Sequence, residues 1–161
     1  MTSTLEAYNI SVPAVIASYT FNDNGQDIVL IGSMGWAPDY ATEAEALDNN
    51  AYFELKFTLA ASCTSLTFDQ LKFQVTRGGS STPRGWVVKA KVGTTEVQLG
   101  AATIPTEVPT YTNVSLAIPS SLGVASTCNG ESISFLIYSY APVPGAVVGF
   151  QMFELTGFGG F

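Results

Sequence analysis

The chain contains no histidine. That removes Ser-His-Asp and Cys-His catalytic machinery, His-ligated zinc and the usual general base of neutral pH. Charge is scarce as well. Asp, Glu, Lys and Arg make up 12% of the 161 residues, about half the usual share of a soluble domain. Six residues are Lys or Arg and thirteen are Asp or Glu, giving a net charge of −7. Nucleic acid is not an expected partner, because phosphates demand a basic footprint. Arg77, Arg84, Lys89 and Lys91 share one hairpin-like region, but in an acidic chain they read as a solvated face. No apolar run approaches the roughly 20 residues that span a bilayer, so no membrane partner is expected. The N-terminal stretch carries Glu6 and lacks a positive segment followed by an apolar one, so it does not read as a secretory leader. Either a leader was removed or that export route is not used.

Cysteine is nearly absent too. Cys63 and Cys128 are the two in the chain, too few for a zinc site by themselves. Each lies a few residues before an apolar strand pattern. Loops entering two strands from the same end of a sandwich can meet, so a disulfide and two separate small buried residues are both open readings. A bridge would point to life outside a reducing cytosol. Phosphate-cradling glycine motifs are missing: residues 77–82 (RGGSST) are Gly-rich but neither match such a motif nor open a helix.

What is present is apolar and β-forming. Hydrophobic residues make up 47% of the chain and aromatic residues 12%, enough to fill one full core at this length. Alternation with period 2 dominates and helical periodicity is nearly missing. Residues 52–59 are the clearest case. Phe53, Leu55, Phe57 and Leu59 face one way, and Tyr52, Glu54, Lys56 and Thr58 the other, as in a sheet with one face in the core and one in water. In 66–76, Leu66 and Phe68 stand in one phase and Leu71, Phe73 and Val75 in the opposite one. A β-bulge near Asp69 and Gln70 would return both sets to the core. Residues 86–99 read as a hairpin turning at Gly93 and Thr94. Residues 133–140 are apolar on both faces and so belong in the middle of a sheet. A one- or two-turn helix is the expectation within 40–47. The fifteen Gly and eight Pro fall mostly between these segments. The expected fold is all-β: a single antiparallel β-sandwich of jelly-roll type with about nine strands. Residues 14–157 form the sandwich, with an N-terminal arm at 1–13 and a C-terminal tail at 158–161.

Candidate sites are few. Among thirteen acids some pair always falls close, so carboxylate proximity alone does not make a glycosidase, and no enzyme is expected. Asn22, Asp23, Asn24, Gln26 and Asp27 surround Gly25 with oxygen ligands of the kind calcium prefers, with Asp23 and Asp27 first among them. The spacing and closing Glu of an EF-hand are lacking, and a plain turn with no ion is the competing reading. No cofactor other than calcium is suggested. Trp36, Tyr40, Tyr138 and Tyr140 are the candidate ligand-binding aromatics, suited to stacking on sugar rings; Trp36 equally suits a plug at one end of the sandwich.

Several segments in order carry a family resemblance: 50–59 (NAYFELKFTL), 64–75 (TSLTFDQLKFQV), 77–80 (RGGS), 111–116 (YTNVSL), 133–138 (ISFLIY) and 149–157 (GFQMFELTG). Across 14–157 this layout resembles the β-sandwich domain of PEP-CTERM (exosortase-sorted) exported bacterial proteins. The resemblance implies a jelly roll related in shape to carbohydrate-binding modules and an extracellular setting, and it carries no catalytic residues. The Pro-Glu-Pro segment, membrane helix and basic tail of that class are not found here. A low-charge jelly roll without them also looks like a phage virion component, such as a capsid decoration protein or fibre module. Two functions therefore stand as expectations. The first is a structural subunit, virion or extracellular, whose arm and tail pack against itself or against a capsid or filament lattice. The alternative is a carbohydrate-binding or adhesive module with a glycan partner.

Overall fold

The computed structural model describes residues 2–9, 15–23, 27–36, 38–58, 65–78, 84–104, 111–122, 132–142 and 146–160. Among the described residues ten strands form two five-stranded antiparallel sheets. They are β1 Thr2–Tyr8, β2 Val15–Asp23, β3 Asp27–Trp36, β4 Tyr52–Thr58, β5 Ser65–Gly78, β6 Arg84–Val92, β7 Thr95–Ile104, β8 Thr112–Ala117, β9 Ser132–Tyr140 and β10 Val147–Gly160. One sheet has the order β1-β4-β9-β6-β7 and the other β2-β3-β10-β5-β8. The chain crosses repeatedly between the two layers, giving a jelly-roll-type sandwich. The expected count of about nine strands is one short. Residues 2–8, read as part of an arm, are hydrogen-bonded along β4 as an edge strand of the same chain. Residues 158–160, read as tail, continue β10 against Ser65, Leu66 and Thr67.

The core follows from the alternation. In β4, buried and half-buried residues alternate without a break. Phe53, Leu55 and Phe57 point inward beside Ile133, Phe135 and Ile137 of β9 and Trp86, Val88 and Ala90 of β6. The facing sheet contributes Leu71, Phe73 and Val75 of β5 and Val148, Phe150, Phe153 and Leu155 of β10. Phe73 sits at the crossing: its ring centroid lies 5.3 Å from Trp86, 5.9 Å from Phe150 and 5.2 Å from Phe153. Strand β9, buried on both faces, is central in its sheet as its pattern requires.

Two irregularities shape the second sheet. Along β5 and β10, Thr156 pairs with Gln70 and Gly157 with Phe68. Asp69 is therefore the extra residue of a bulge, and Phe68 and Leu71 are both buried. Its carbonyl accepts a hydrogen bond from the Ile118 N–H at 2.8 Å, which uses the group the bulge frees. The second irregularity lies in β10. Gln151 pairs with Gln74 and Glu154 with Lys72, so two residues of β10 stand opposite the single Phe73. The one-residue offset begun at Met152 is taken back at Asp69.

The single α-helix among the described residues, α1, spans Glu43–Asp48. Thr42 and Glu45 form a reciprocal capping box at its start, which satisfies donors a short helix otherwise leaves orphaned. Leu47 of α1 and Tyr52 pack on Val87, Leu136 and Tyr138, the outer-face residues of β6 and β9.

Candidate functional site

Each sheet has an outer face, and the two differ in kind. On the first sheet, strand pairing sets Tyr8 beside Tyr52 and Tyr52 beside Tyr138. The rings form a row with centroids 4.9 and 5.1 Å apart. Tyr138 faces outward from its sheet, as an outward platform requires, but Leu47 and Tyr52 cover it and it is only 2% exposed. The expectation of an open Tyr138 platform is corrected accordingly. Burial, with smaller contributions from Glu96 and Tyr52, pushes its hydroxyl well above the usual tyrosine range. Lys89 Nζ lies 5.5 Å from its ring centroid and is held by Glu96 Oε1 at 2.8 Å. At the sheet edge the Tyr8 hydroxyl lies 2.6 Å from Glu6 Oε2 and 3.0 Å from Glu54 Oε2. Its pKa is raised, chiefly by the hydrogen bond to Glu6 and then by burial. Around Tyr138 this face is closed by its own side chains.

The remaining expected residues do not assemble into a platform. Tyr140 is half-buried and its ring lies over Gly85, where a Cβ would stand 2.1 Å from the ring. Tyr40 is half-buried before α1, and its carbonyl accepts from the Ala141 N–H at 2.9 Å. Trp36 ends β3 in the opposite sheet, paired with Val148; its side chain lies outside the described residues. Asp23 ends β2 and Asp27 opens β3, and residues 24–26 between them lie outside the described residues. The side chains of Asp23 and Asp27, and both Cys63 and Cys128, also lie outside the described residues.

On the second sheet, the outer face of β10, β5 and β8 is open among the described residues. Its strand register places Gln151 of β10, Gln74 of β5 and Asn113 of β8 in one row. Gln151 Nε2 donates to Gln74 Oε1 at 2.7 Å, and Gln74 Nε2 donates to Asn113 Oδ1 at 2.9 Å. Each amide fixes the next, so the row is a hydrogen-bonded ladder across three strands. Among the described residues nothing takes up Gln151 Oε1 at one end or Asn113 Nδ2 at the other, which leaves an acceptor on β10 and donors on β8. The next row holds Glu154, Lys72 and Ser115, with Lys72 Nζ 2.8 Å from Glu154 Oε1. Beyond it, Ser115 Oγ donates to Gln70 Oε1 at 3.3 Å.

Beside Gln151, the Gln74–Asn113 part of the ladder and the Lys72–Glu154–Ser115 row line a depression of about 290 Å³, which Met152 also lines. Met152 is 47% exposed at its border, and Tyr111, one residue ahead of β8, is 44% exposed. Chemically this is a preorganised surface of neutral donors and acceptors with one internally compensated ion pair and one exposed apolar side chain, Met152. It suits a ligand rich in hydroxyl groups. The sequence reading did not pick out Gln74, Gln151, Asn113 or Met152 as ligand-binding residues. Their one signal was position on the water-facing phase of strand patterns; which of them meet depends on register.

No protein-family model matches the chain, and no curated protein matches it. Solved structures of similar shape exist. One is xylanase 10C (mutant E385A) from Cellvibrio japonicus in complex with xylopentaose, at 6% identity and a TM-score of 0.48, covering 94% of this chain and 26% of that one. Others are the CBM22-1 xylan-binding domain of Paenibacillus barcinonensis Xyn10C, at 12% identity and 0.45, covering 95% and 85%, and CBM29_1, a family 29 carbohydrate-binding module from Piromyces equi, at 12% and 0.42, covering 98% and 93%. This chain spans 26% of the length of that xylanase and 25% of the arabinose-bound MgGH51 α-L-arabinofuranosidase, another structure it matches, at 13% identity and a TM-score of 0.45.

Proposed function

We propose that this chain is a non-catalytic carbohydrate-binding domain that holds a polysaccharide on the outer face of β10, β5 and β8. The observation that supports this reading is the amide ladder Gln151–Gln74–Asn113, whose Gln74 and Asn113 line an open depression. Sugar hydroxyls both donate and accept, and so do amides. A ladder held by its own hydrogen bonds loses little freedom when a ligand arrives, which lowers the cost of binding. The ladder is neutral and the chain is acidic, which favours an uncharged glycan over a polyanion. Met152 and Tyr111 supply apolar contact for the C–H faces of sugar rings. The setting for such a domain is extracellular. No helix among the described residues is long and apolar enough to cross a membrane.

The lattice-subunit reading depended on an arm and a tail reaching neighbours. Residues 2–8 and 158–160 instead pair within this chain's own sheets, so those segments do not support that reading.

A few net hydrogen bonds of about 1 kcal/mol each plus apolar contact correspond to a Kd of roughly 10 μM to 1 mM. The test is isothermal calorimetry with xylopentaose and cellopentaose, followed by a wider glycan panel. Saturable heat without hydrolysis of the sugar supports the reading. No binding by any glycan at millimolar concentration overturns it.

A further inference from the structure

Three described non-glycine residues have positive φ: Asn9, Asn50 and Met152. The first two are asparagines in turns, the residue type that tolerates the left-handed region. Met152 is different. Its φ is +55°, and it stands inside β10, the central strand of its sheet. A residue with an ordinary side chain is strained there, and glycine is what a left-handed bulge position usually carries.

The bulge at Met152 has a definite result. It lets Phe150 and Phe153, three positions apart, both point into the core, and it leaves Gln151 and Glu154 both outward. The extra residue is lifted off the sheet. Its side chain borders the depression, with the Gln151–Gln74 row on one side and the Lys72–Glu154 row on the other. In a depression whose other outward-facing side chains are amides, a hydroxyl and an ion pair, it is the exposed apolar one.

We infer that Met152 is a specificity-determining contact, held in a strained bulge so that its thioether packs against the C–H face of a pyranose ring. This rests on the glycan-binding reading above. The ring's hydroxyl edge meets Gln74 and Gln151 while its apolar face meets Met152. The flexible, polarisable side chain adapts to the ring where a flat aromatic would impose one orientation. Strain in the backbone is retained because glycine, the relaxed choice, would leave no apolar surface.

The test compares wild type, Met152→Gly and Met152→Leu in two assays, thermal melting and calorimetry with whichever glycan the wild type binds in the panel. The Gly variant is expected to melt no lower than wild type while its affinity falls tenfold or more. The Leu variant, still apolar, is expected to bind within about threefold of wild type, each tenfold step being about 1.4 kcal/mol. A Gly variant that binds as tightly as wild type overturns the inference and leaves the glycan site standing. A Gly variant that melts far below wild type also overturns it, since Met152 would then serve the fold. If wild type binds no glycan, the site and the inference fall together, an outcome the calorimetry of wild type alone distinguishes from the others.

Discussion

Gln74 is the centre of the amide ladder, and removing its side chain separates binding from folding. It accepts from Gln151 at 2.7 Å and donates to Asn113 at 2.9 Å. Gln74→Ala deletes both bonds. Each is worth about 0.5–1.5 kcal/mol net in a folded protein. The three side chains are half-buried or exposed, so water takes over what the mutation frees, and the low end applies. The expected loss of stability is about 1 kcal/mol, a fall in Tm of roughly 2–4 °C for a chain of this size. Binding suffers more. The ligand loses the central amide, and Gln151 and Asn113 lose the partner that orients them, so their ordering cost returns on binding. Affinity should fall by roughly ten- to a hundredfold, or about 1.4–2.8 kcal/mol. Calorimetry with the bound glycan and a thermal melt on the same sample read the two quantities. An unchanged Kd with a lowered Tm would refute the reasoning, because the ladder would then be only surface decoration. A double-mutant cycle between Gln151→Ala and Asn113→Ala adds a check. The two side chains have no hydrogen bond to each other, so a coupling above about 0.5 kcal/mol must pass through Gln74.

Two further outcomes follow from the closed face and the core. The hydroxyls of Tyr8 and Tyr138 have pKa values raised above the ordinary value of 10.0, so the folded state prefers them protonated. Their contribution to stability is complete below about pH 10 and is lost as pH rises through the raised values. Chemical melts from pH 8 to 12 should show stability falling above pH 10, and Tyr138→Phe should flatten that fall. A Tyr138→Phe profile identical to wild type would contradict the burial of its hydroxyl. Phe73→Ala, which removes the ring that touches Trp86, Phe150 and Phe153, should cost about 3–5 kcal/mol in urea unfolding. A loss below about 1.5 kcal/mol would show that the core closes over the gap.

Sheet class, the bulge at Asp69 and the centrality of β9 were legible because each leaves a local mark. Alternation in 52–58 states which face is buried, and the phase reversal between Phe68 and Leu71 can be reconciled only by an extra residue. The same mark is present in β10, where Phe150, Phe153 and Leu155 break the period of two at Met152; it points to the bulge but not to the exposure of its side chain. Strand β1 was hidden because Ser3, Leu5 and Ala7, which pair with Phe57, Leu55 and Phe53, are too small and mixed to read as a core face. Paired to β4 it needs no more, as an edge strand. The ladder could not be read, because Gln74, Asn113 and Gln151 lie on three strands whose register is fixed by the core and the two bulges. Tyr138 shows the opposite failure. Its outward phase was correctly read, but a six-residue helix from elsewhere in the chain and Tyr52 cover it.

The most direct test of glycan binding at the ladder is a titration of ¹⁵N-labelled protein with the glycan found by calorimetry, followed by two-dimensional NMR. Side-chain NH₂ signals report the ladder itself, and backbone signals report the rest of each sheet. The account predicts saturable shifts in the side-chain amides of Gln74, Asn113 and Gln151 and in the backbone of Met152. It predicts no comparable change at Tyr52, Val87 or Leu136 on the opposite face. Shifts confined to that opposite face, or none anywhere at saturating sugar, would contradict it.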